Sequence, residues 1–373
     1  MRIGILTLPF NNNYGGYLQA FALIRFLKLE GHDVTLICRK HNRRSFAIRF
    51  RHLAKAVLLG ILGKPHKRFL MDQEVELREK GALIMPFVDK WIFPITKPLY
   101  SDRELRKIAK GKFDIVIVGS DQVWRPDYGP KISNYFFDFV DDSVRKISYA
   151  ASFGSDSPKY TPKEEAICAS LLSNFEAISV REESGISIIN KWNLKSEVLP
   201  KVVLDPTMLL EVNSYLPFLK PDLLSKGKIF CYVLDDSEIA SEMIESVSKL
   251  QNIEAYHIID VSKWKKEDYI MPSMESWLSG IYFSDIVITD SFHGTVFSIL
   301  FNKPFIVYAN VDRGLDRFDT LLKVFDLQSR IAKSKEDAIR ISNEKINWKQ
   351  VNLILENKRK ESAQFLIDSI QKV

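Results

Sequence analysis

The stretch Ile286 to Tyr308, IVITDSFHGTVFSILFNKPFIVY, limits the possible folds more than any other part of the chain. An unbroken apolar run of strand length, a polar turn over Thr289–Gly294, a short apolar helix and a second apolar run at 304–308 make one β-α-β unit of a parallel sheet covered on both faces. The first strand of such a unit delivers its polar turn to a helix N-terminus, where free backbone N–H groups and the positive end of the helix dipole favour an anion. His293 in that turn adds a group suited to proton transfer, which points to acid–base chemistry on a phosphorylated or carboxylated ligand.

The same alternation runs through the chain twice. Its first pass has strands at 2–8, 33–38, 113–118, 146–149 and 177–180, with helices predicted over 17–30, around 69–90 and near 162–174. The run at 198–204 then meets Asp205-Pro206-Thr207, which reads as the exit from a first domain. A second series follows, with strands at 228–234, 253–259, 285–289 and 304–308 and helices at 237–250, 273–283 and 294–302. Two such series in 373 residues predict an α/β protein of two Rossmann-like doubly wound domains, 1–205 and 206–345. Residues 346–373 form a C-terminal helix, charged on one face, able to pack back on the first domain.

Composition narrows the class. Cys38, Cys168 and Cys231 are far apart among apolar residues and read as buried thiols, with no disulfide framework and no zinc spacing. No Asp-x-Asp signature or His/Cys cluster calls for a metal. No segment approaches the ~20 apolar residues that span a bilayer, and Met1–Leu8 reads as a strand. A cytoplasmic location is the expectation, with any membrane contact peripheral. Residues 39–68 hold ten Lys or Arg and no acid, which leaves the rest of the chain at −4 against the overall +6. That segment is either a solvated insertion or a basic amphipathic helix contacting an anionic membrane face; no nucleic-acid motif accompanies it.

Six motifs in order carry a family resemblance: Asn13-Tyr14-Gly15-Gly16-Tyr17-Leu18-Gln19-Ala20, Val118-Gly119-Ser120-Asp121-Gln122-Val123-Trp124, Tyr149–Gly154, Ser179–Gly185 with Arg181, Leu204-Asp205-Pro206-Thr207 and the turn at 289–294. Together they resemble the polysaccharide pyruvyl transferase family along nearly the whole chain. The resemblance implies a GT-B-like pair of domains with the active site between them. It also implies transfer of a pyruvyl group from phosphoenolpyruvate, a co-substrate rather than a cofactor, to a sugar hydroxyl pair, forming a pyruvate ketal on a cell-surface polysaccharide. The implied partners are phosphoenolpyruvate and a glycan or lipid-linked oligosaccharide acceptor. Two other readings are a GT-B glycosyltransferase using a nucleotide sugar and a non-catalytic glycan-binding paralogue.

Pyruvyl transfer needs cations for phosphate and carboxylate, an acid for the enol carbon and a base for the sugar hydroxyl. Arg181 and His293 match the family's donor site, where Ser291, Phe292 and Gly294 complete the turn. Arg181 could instead pair with Glu182 or Glu183, and His293 could be a satisfied core group. Family members often read Arg-Leu-His where this chain has Ser291-Phe292-His293; Arg313, Arg317 and Arg330 either replace the missing cation from a neighbouring loop or form a basic solvated helix start. Asp121 and Asp290 are the base candidates; either could cap a helix instead. Acceptor contacts are expected from a glycine-flexible first loop with Asn11, Asn12, Asn13, Tyr14, Gly15 and Gly16, and from Ser120, Asp121, Gln122 and Trp124. Trp124, Tyr128 and Tyr135 either stack on sugar or fill the core. Gly-x-Gly-x-x-Gly spacing is absent, which argues against a dinucleotide.

Overall fold

The computed structural model describes residues 1–43, 50, 51, 54, 57, 61, 73–195, 197–221, 224–235, 237–260, 269–309 and 315–371. Most of the basic segment 39–68, and with it the proposed amphipathic helix, lies outside the described residues, as does Arg313. In chain order the first domain comprises β1 (Arg2–Leu6), α1 (Tyr14–Leu29), β2 (Asp33–Ile37), α2 (Gln73–Lys80), α3 (Met85–Trp91), α4 (Asp102–Ala109), β3 (Ile115–Val118), β4 (Arg145–Ser148), α5 (Pro162–Leu172), β5 (Ser179–Val180), α6 (Glu183–Lys191) and β6 (Lys201–Val202). Its parallel sheet has the order β2-β1-β3-β4, and Leu6 pairs level with both Ile37 and Val118, so the loops after these strands leave from one edge. Bridges from Ile147 to Ala177 and from Ala151 to Val180 join the small β5–β6 pair to β4.

The second domain runs through β7 (Ile229–Tyr232), α7 (Glu238–Gln251), β8 (Ala255–His257), α8 (Met274–Phe283), β9 (Ile286–Thr289), α9 (Phe292–Leu300), β10 (Phe305–Tyr308), α10 (Asp316–Val324), β11 (Ile331–Ala332) and α11 (Lys335–Asn343). Its five strands are all parallel in the order β8-β7-β9-β10-β11. The central strands Ile115–Val118, Ile229–Tyr232, Ile286–Thr289 and Phe305–Tyr308 are buried at every position, because helices cover both sheet faces. Both sheets reverse strand order beside their first strand, at β1/β3 and at β7/β9. The crevice beyond the carboxyl ends of such strands is where open α/β sheets bind ligands.

The two domains meet through an aromatic seam. Tyr14 stacks on Trp277 with ring centroids 5.4 Å apart and donates its hydroxyl to the Pro272 carbonyl at 2.7 Å. A final helix, α12 (Trp348–Gln371), returns to the first domain, where Arg145 donates to the Ser369 and Ile370 carbonyls and Ser362 Oγ accepts from the Leu204 N–H. Among the described residues no helix is long and apolar enough to cross a membrane.

One local expectation changes. Helix α1 begins at Tyr14, not at Tyr17, and Asn13 caps it by accepting from the Gly15 N–H at 3.1 Å. Gly15 and Gly16 are therefore the first turn of a helix rather than a flexible loop. Glycine there conflicts with helix propensity, and for Gly15 the reason lies in the other domain.

Candidate active site

Asp205 is the hub of the buried polar cluster between the domains. One of its oxygens, Oδ1, accepts from the Thr207 backbone N–H at 3.0 Å and from the Thr207 hydroxyl at 2.7 Å. The other, Oδ2, accepts from Arg181 at 2.9 Å and from the Ser120 hydroxyl at 3.2 Å, and it faces His293 Nε2 at 3.6 Å. Arg181 also reaches to 3.6 Å from Asp121 Oδ1. Arg181, Asp205 and His293 are all buried, yet among the described residues Arg181 Nε and Nη2 and His293 Nε2 have no partner at hydrogen-bond distance. Buried donors without a partner are costly, so their retention here marks a place where a ligand's oxygens can complete the set.

The turn at 289–294 is built by its own side chains. Thr289 Oγ1 donates to the Tyr232 carbonyl at 2.7 Å and accepts from the Ser291 N–H at 3.0 Å. Ser291 caps α9 by accepting from the Gly294 N–H at 3.3 Å. A Cβ at Gly294 would lie 2.4 Å from Thr289 Oγ1, so glycine lets the helix sit on the strand. Ser291 and Gly294 thus shape the turn. His293 is set from the opposite side: a Cβ at Gly15 would fall 1.9 Å from its Nδ1. The glycine in the first turn of α1 is the space that the imidazole occupies.

Phe292 carries two guanidinium groups. Arg181 stands 4.3 Å and Arg317 5.9 Å from its ring centroid. Burial pushes Arg317 down to about 10, helped by the like charge of Arg181 and opposed by Glu182 and Asp121, so it remains a cation at neutral pH. Burial raises the Glu182 carboxyl against the pull of Arg181 and Arg317, and its Oε1 accepts from the Phe153 N–H at 2.7 Å. Arg330 takes no part in the cluster. It is spent on the carbonyls of Phe305 and Ile341, which removes it as a replacement cation.

Burial alone would raise the Asp205 pKa, but His293, Arg181 and the Thr207 hydroxyl win and hold it well below the ordinary carboxylate range. A folded-state pKa below the unfolded value near 3.9 contributes stability that is fully present above that value and is lost as pH falls toward the folded one. The stability gap between wild type and Asp205→Asn, from urea unfolding, is therefore expected to be constant near neutrality and to shrink below about pH 4. A gap that widens on acidification would contradict this.

Beside the cluster, at the β1/β3 switch point, a cleft of about 360 Å³ opens between the loop after β1 and the loop after β3. Asn11, Asn13, Gly16, Asp121 and Gln122 line it. Asp121 adopts φ 77°, a conformation uncommon outside Gly, Asn and Asp, and this places its carboxylate between Arg181 and the cleft.

Other expected acceptor residues serve the scaffold. Asn12 is buried and donates to the Leu77 carbonyl at 2.8 Å, Tyr14 belongs to the interdomain seam, and Ser120 supports Asp205. Trp124 and Tyr135 are fully buried, with Trp124 Nε1 donating to the Tyr135 carbonyl at 3.1 Å, so neither offers a face to sugar. Tyr128 is exposed in the cleft wall. Asp290 accepts from the Leu234 N–H at 2.9 Å, clamping the β7/β9 crevice, so of the two base candidates Asp121 is the one that faces the cleft. Asp205 and Glu182 were readable as parts of motifs, but nothing local indicated that an aspartate before Pro206 would bind both Arg181 and Ser120.

The fold is similar to that of UDP-N-acetylglucosamine 2-epimerases. The Rickettsia bellii structure matches with a TM-score of 0.53 at 9% identity, covering 99% of this chain and 96% of that one. A putative Listeria monocytogenes enzyme of the same description gives 0.52 at 9% identity, over 97% and 90%. The Methanocaldococcus jannaschii enzyme gives 0.51 at 13% identity, over 94% and 95%. These likenesses show a GT-B-like α/β fold. No protein of curated function matches the sequence. The family model for polysaccharide pyruvyl transferase, by contrast, matches residues 13–313, a span that holds Asp121, Arg181, Asp205 and His293, and the chain belongs to that family.

Proposed function

We propose that the protein transfers the pyruvyl group of phosphoenolpyruvate to two hydroxyls of a sugar, releasing phosphate and leaving a pyruvate ketal. The observation that carries this reading is the pairing of an anion-ready cluster, with unpartnered buried donors on Arg181 and His293, and an open polar cleft joined to it through Asp121. Arg181 and Arg317 hold the donor's carboxylate and phosphate, with Arg317 standing in for the cation that Ser291 lacks. His293 delivers a proton to the methylene carbon, generating a methyl group and a cationic centre at the adjacent carbon. A sugar hydroxyl attacks that carbon as Asp121 takes its proton. The second hydroxyl then displaces phosphate. Of the two hydroxyl protons, one balances the proton gained by the methyl group and the other leaves with phosphate.

Incubating the protein with phosphoenolpyruvate and a panel of synthetic galactosides, mannosides and glucosaminides should give equal amounts of phosphate and of product heavier by one pyruvate less water. Absence of both throughout the panel would remove the reading. Within it, Arg317→Ala is expected to raise KM for phosphoenolpyruvate about 10- to 100-fold, the worth of one charge-assisted contact, with kcat changed less. An unchanged KM would return the role of second cation to another residue.

A further inference from the structure

The cleft at the β1/β3 switch point has a wall chemistry that selects its occupant. Among the described residues its lining includes two carboxylates, Asp121 and Asp127, and no lysine or arginine. Among the described residues, the cations next to the lining in sequence are engaged by protein groups. Arg125 lies 4.3 Å over the Tyr128 ring and donates to Gln122 Oε1 at 3.2 Å. Arg39 is buried in bonds to Asn134 and Asn42, and Lys40 faces Glu74 at 3.6 Å. His41, at the end of the cleft, is held below its ordinary pKa by partial burial and by Arg39 and Lys40, so at neutral pH it is an uncharged donor and acceptor.

Among the described residues, an anion entering this space meets two carboxylates and no lysine or arginine in the lining, Arg181 lying 3.6 Å from Asp121 on the donor side. Hydroxyl groups meet carboxylates, amides and an imidazole that can accept or donate to each of them. Phe10 and Tyr128 add aromatic surface, on which the C–H face of a pyranose can rest. At about 360 Å³ the cleft lies at the small end of the usual range for ligand sites, roughly 300 to 1,000 Å³. It suits one or two rings rather than a nucleotide sugar.

We propose that this cleft holds a single neutral sugar ring, with Asp127, His41 and Tyr128 fixing its outer hydroxyls and face, and that it rejects rings bearing a carboxylate or phosphate. Identification of that ring as the acceptor of pyruvyl transfer rests on the function proposed above; the binding preference itself does not. The cleft and the donor cluster then divide the two substrates by charge, anion on the arginine side and neutral polyol on the carboxylate side.

The test is ligand-observed saturation-transfer NMR on the full chain, without donor. Probes are methyl β-galactopyranoside, methyl α-mannopyranoside, and the matched pair methyl β-glucopyranoside and its 6-carboxylate. At least one neutral glycoside is expected to bind, with affinity falling about tenfold or more in Tyr128→Ala. The 6-carboxylate should bind at least about tenfold more weakly than its neutral partner, and Asp127→Asn should narrow that difference. Binding of no neutral probe, equal binding to Tyr128→Ala, or equal affinity for the carboxylate would overturn the proposal. Because no phosphoenolpyruvate is present, the result stands apart from any failure of the transfer assay.

Discussion

Replacing His293 by alanine is expected to lower kcat for pyruvyl transfer about 10²- to 10⁴-fold, the usual contribution of a positioned general acid. The imidazole is buried, sits on the first turn of α9 and presents Nε2 to Asp205 at 3.6 Å. Gly15→Ala should produce a loss of comparable size from the other domain, because its methyl group would occupy the position of His293 Nδ1. Helix propensity alone would make alanine the better residue in α1 by about 1 kcal/mol. A drop in both stability and turnover would therefore report the clash. The two changes should also be coupled: once His293 is alanine, the space is free, and Gly15→Ala should cost little further stability. Additive losses in this double-mutant cycle would mean that the two residues do not set each other's position.

The second large effect concerns Arg181. Its guanidinium is buried against Asp205 at 2.9 Å and Asp121 at 3.6 Å, and it rests on the Phe292 ring. Arg181→Ala leaves two buried carboxylates without their main cation, which is expected to cost about 3–5 kcal/mol in urea unfolding, together with loss of donor binding. Arg181→Lys keeps the charge but not the planar fork that addresses two carboxylates and a ring face at once. It should recover much of the stability and little of the affinity for phosphoenolpyruvate. A lysine variant with wild-type KM would show that Arg181 acts only as a structural ion pair.

Much of the architecture was legible because burial on both faces of a parallel sheet writes itself as short apolar runs, and these runs alternate with helix periodicity. The strand at 286–289, the turn at 289–294 and the helix after it were placed within two residues. Errors came where local chemistry has two uses. Asn12 and Ser120 look like ligand contacts, but they satisfy backbone and carboxylate groups that only the fold brings near them. Tyr14, expected among the acceptor contacts, lies in the seam, and of the two readings of Trp124 the structure takes the core, since an aromatic residue beside a polar turn carries no mark of which side it faces.

The sequence by itself determined two doubly wound domains, the family, and the residue types available for acid, base and cation. Only the tertiary structure decided who meets whom. Residues 15 and 293 are separated by nearly the whole fold in sequence, and no periodicity predicts that the absence of a side chain at one makes room for the ring of the other. Likewise, Asp205 gains its role from Arg181, Ser120 and His293 converging on one oxygen across two domains. Secondary structure follows from short-range periodicity, whereas a site at a domain interface follows from packing between segments whose relation the local pattern does not encode.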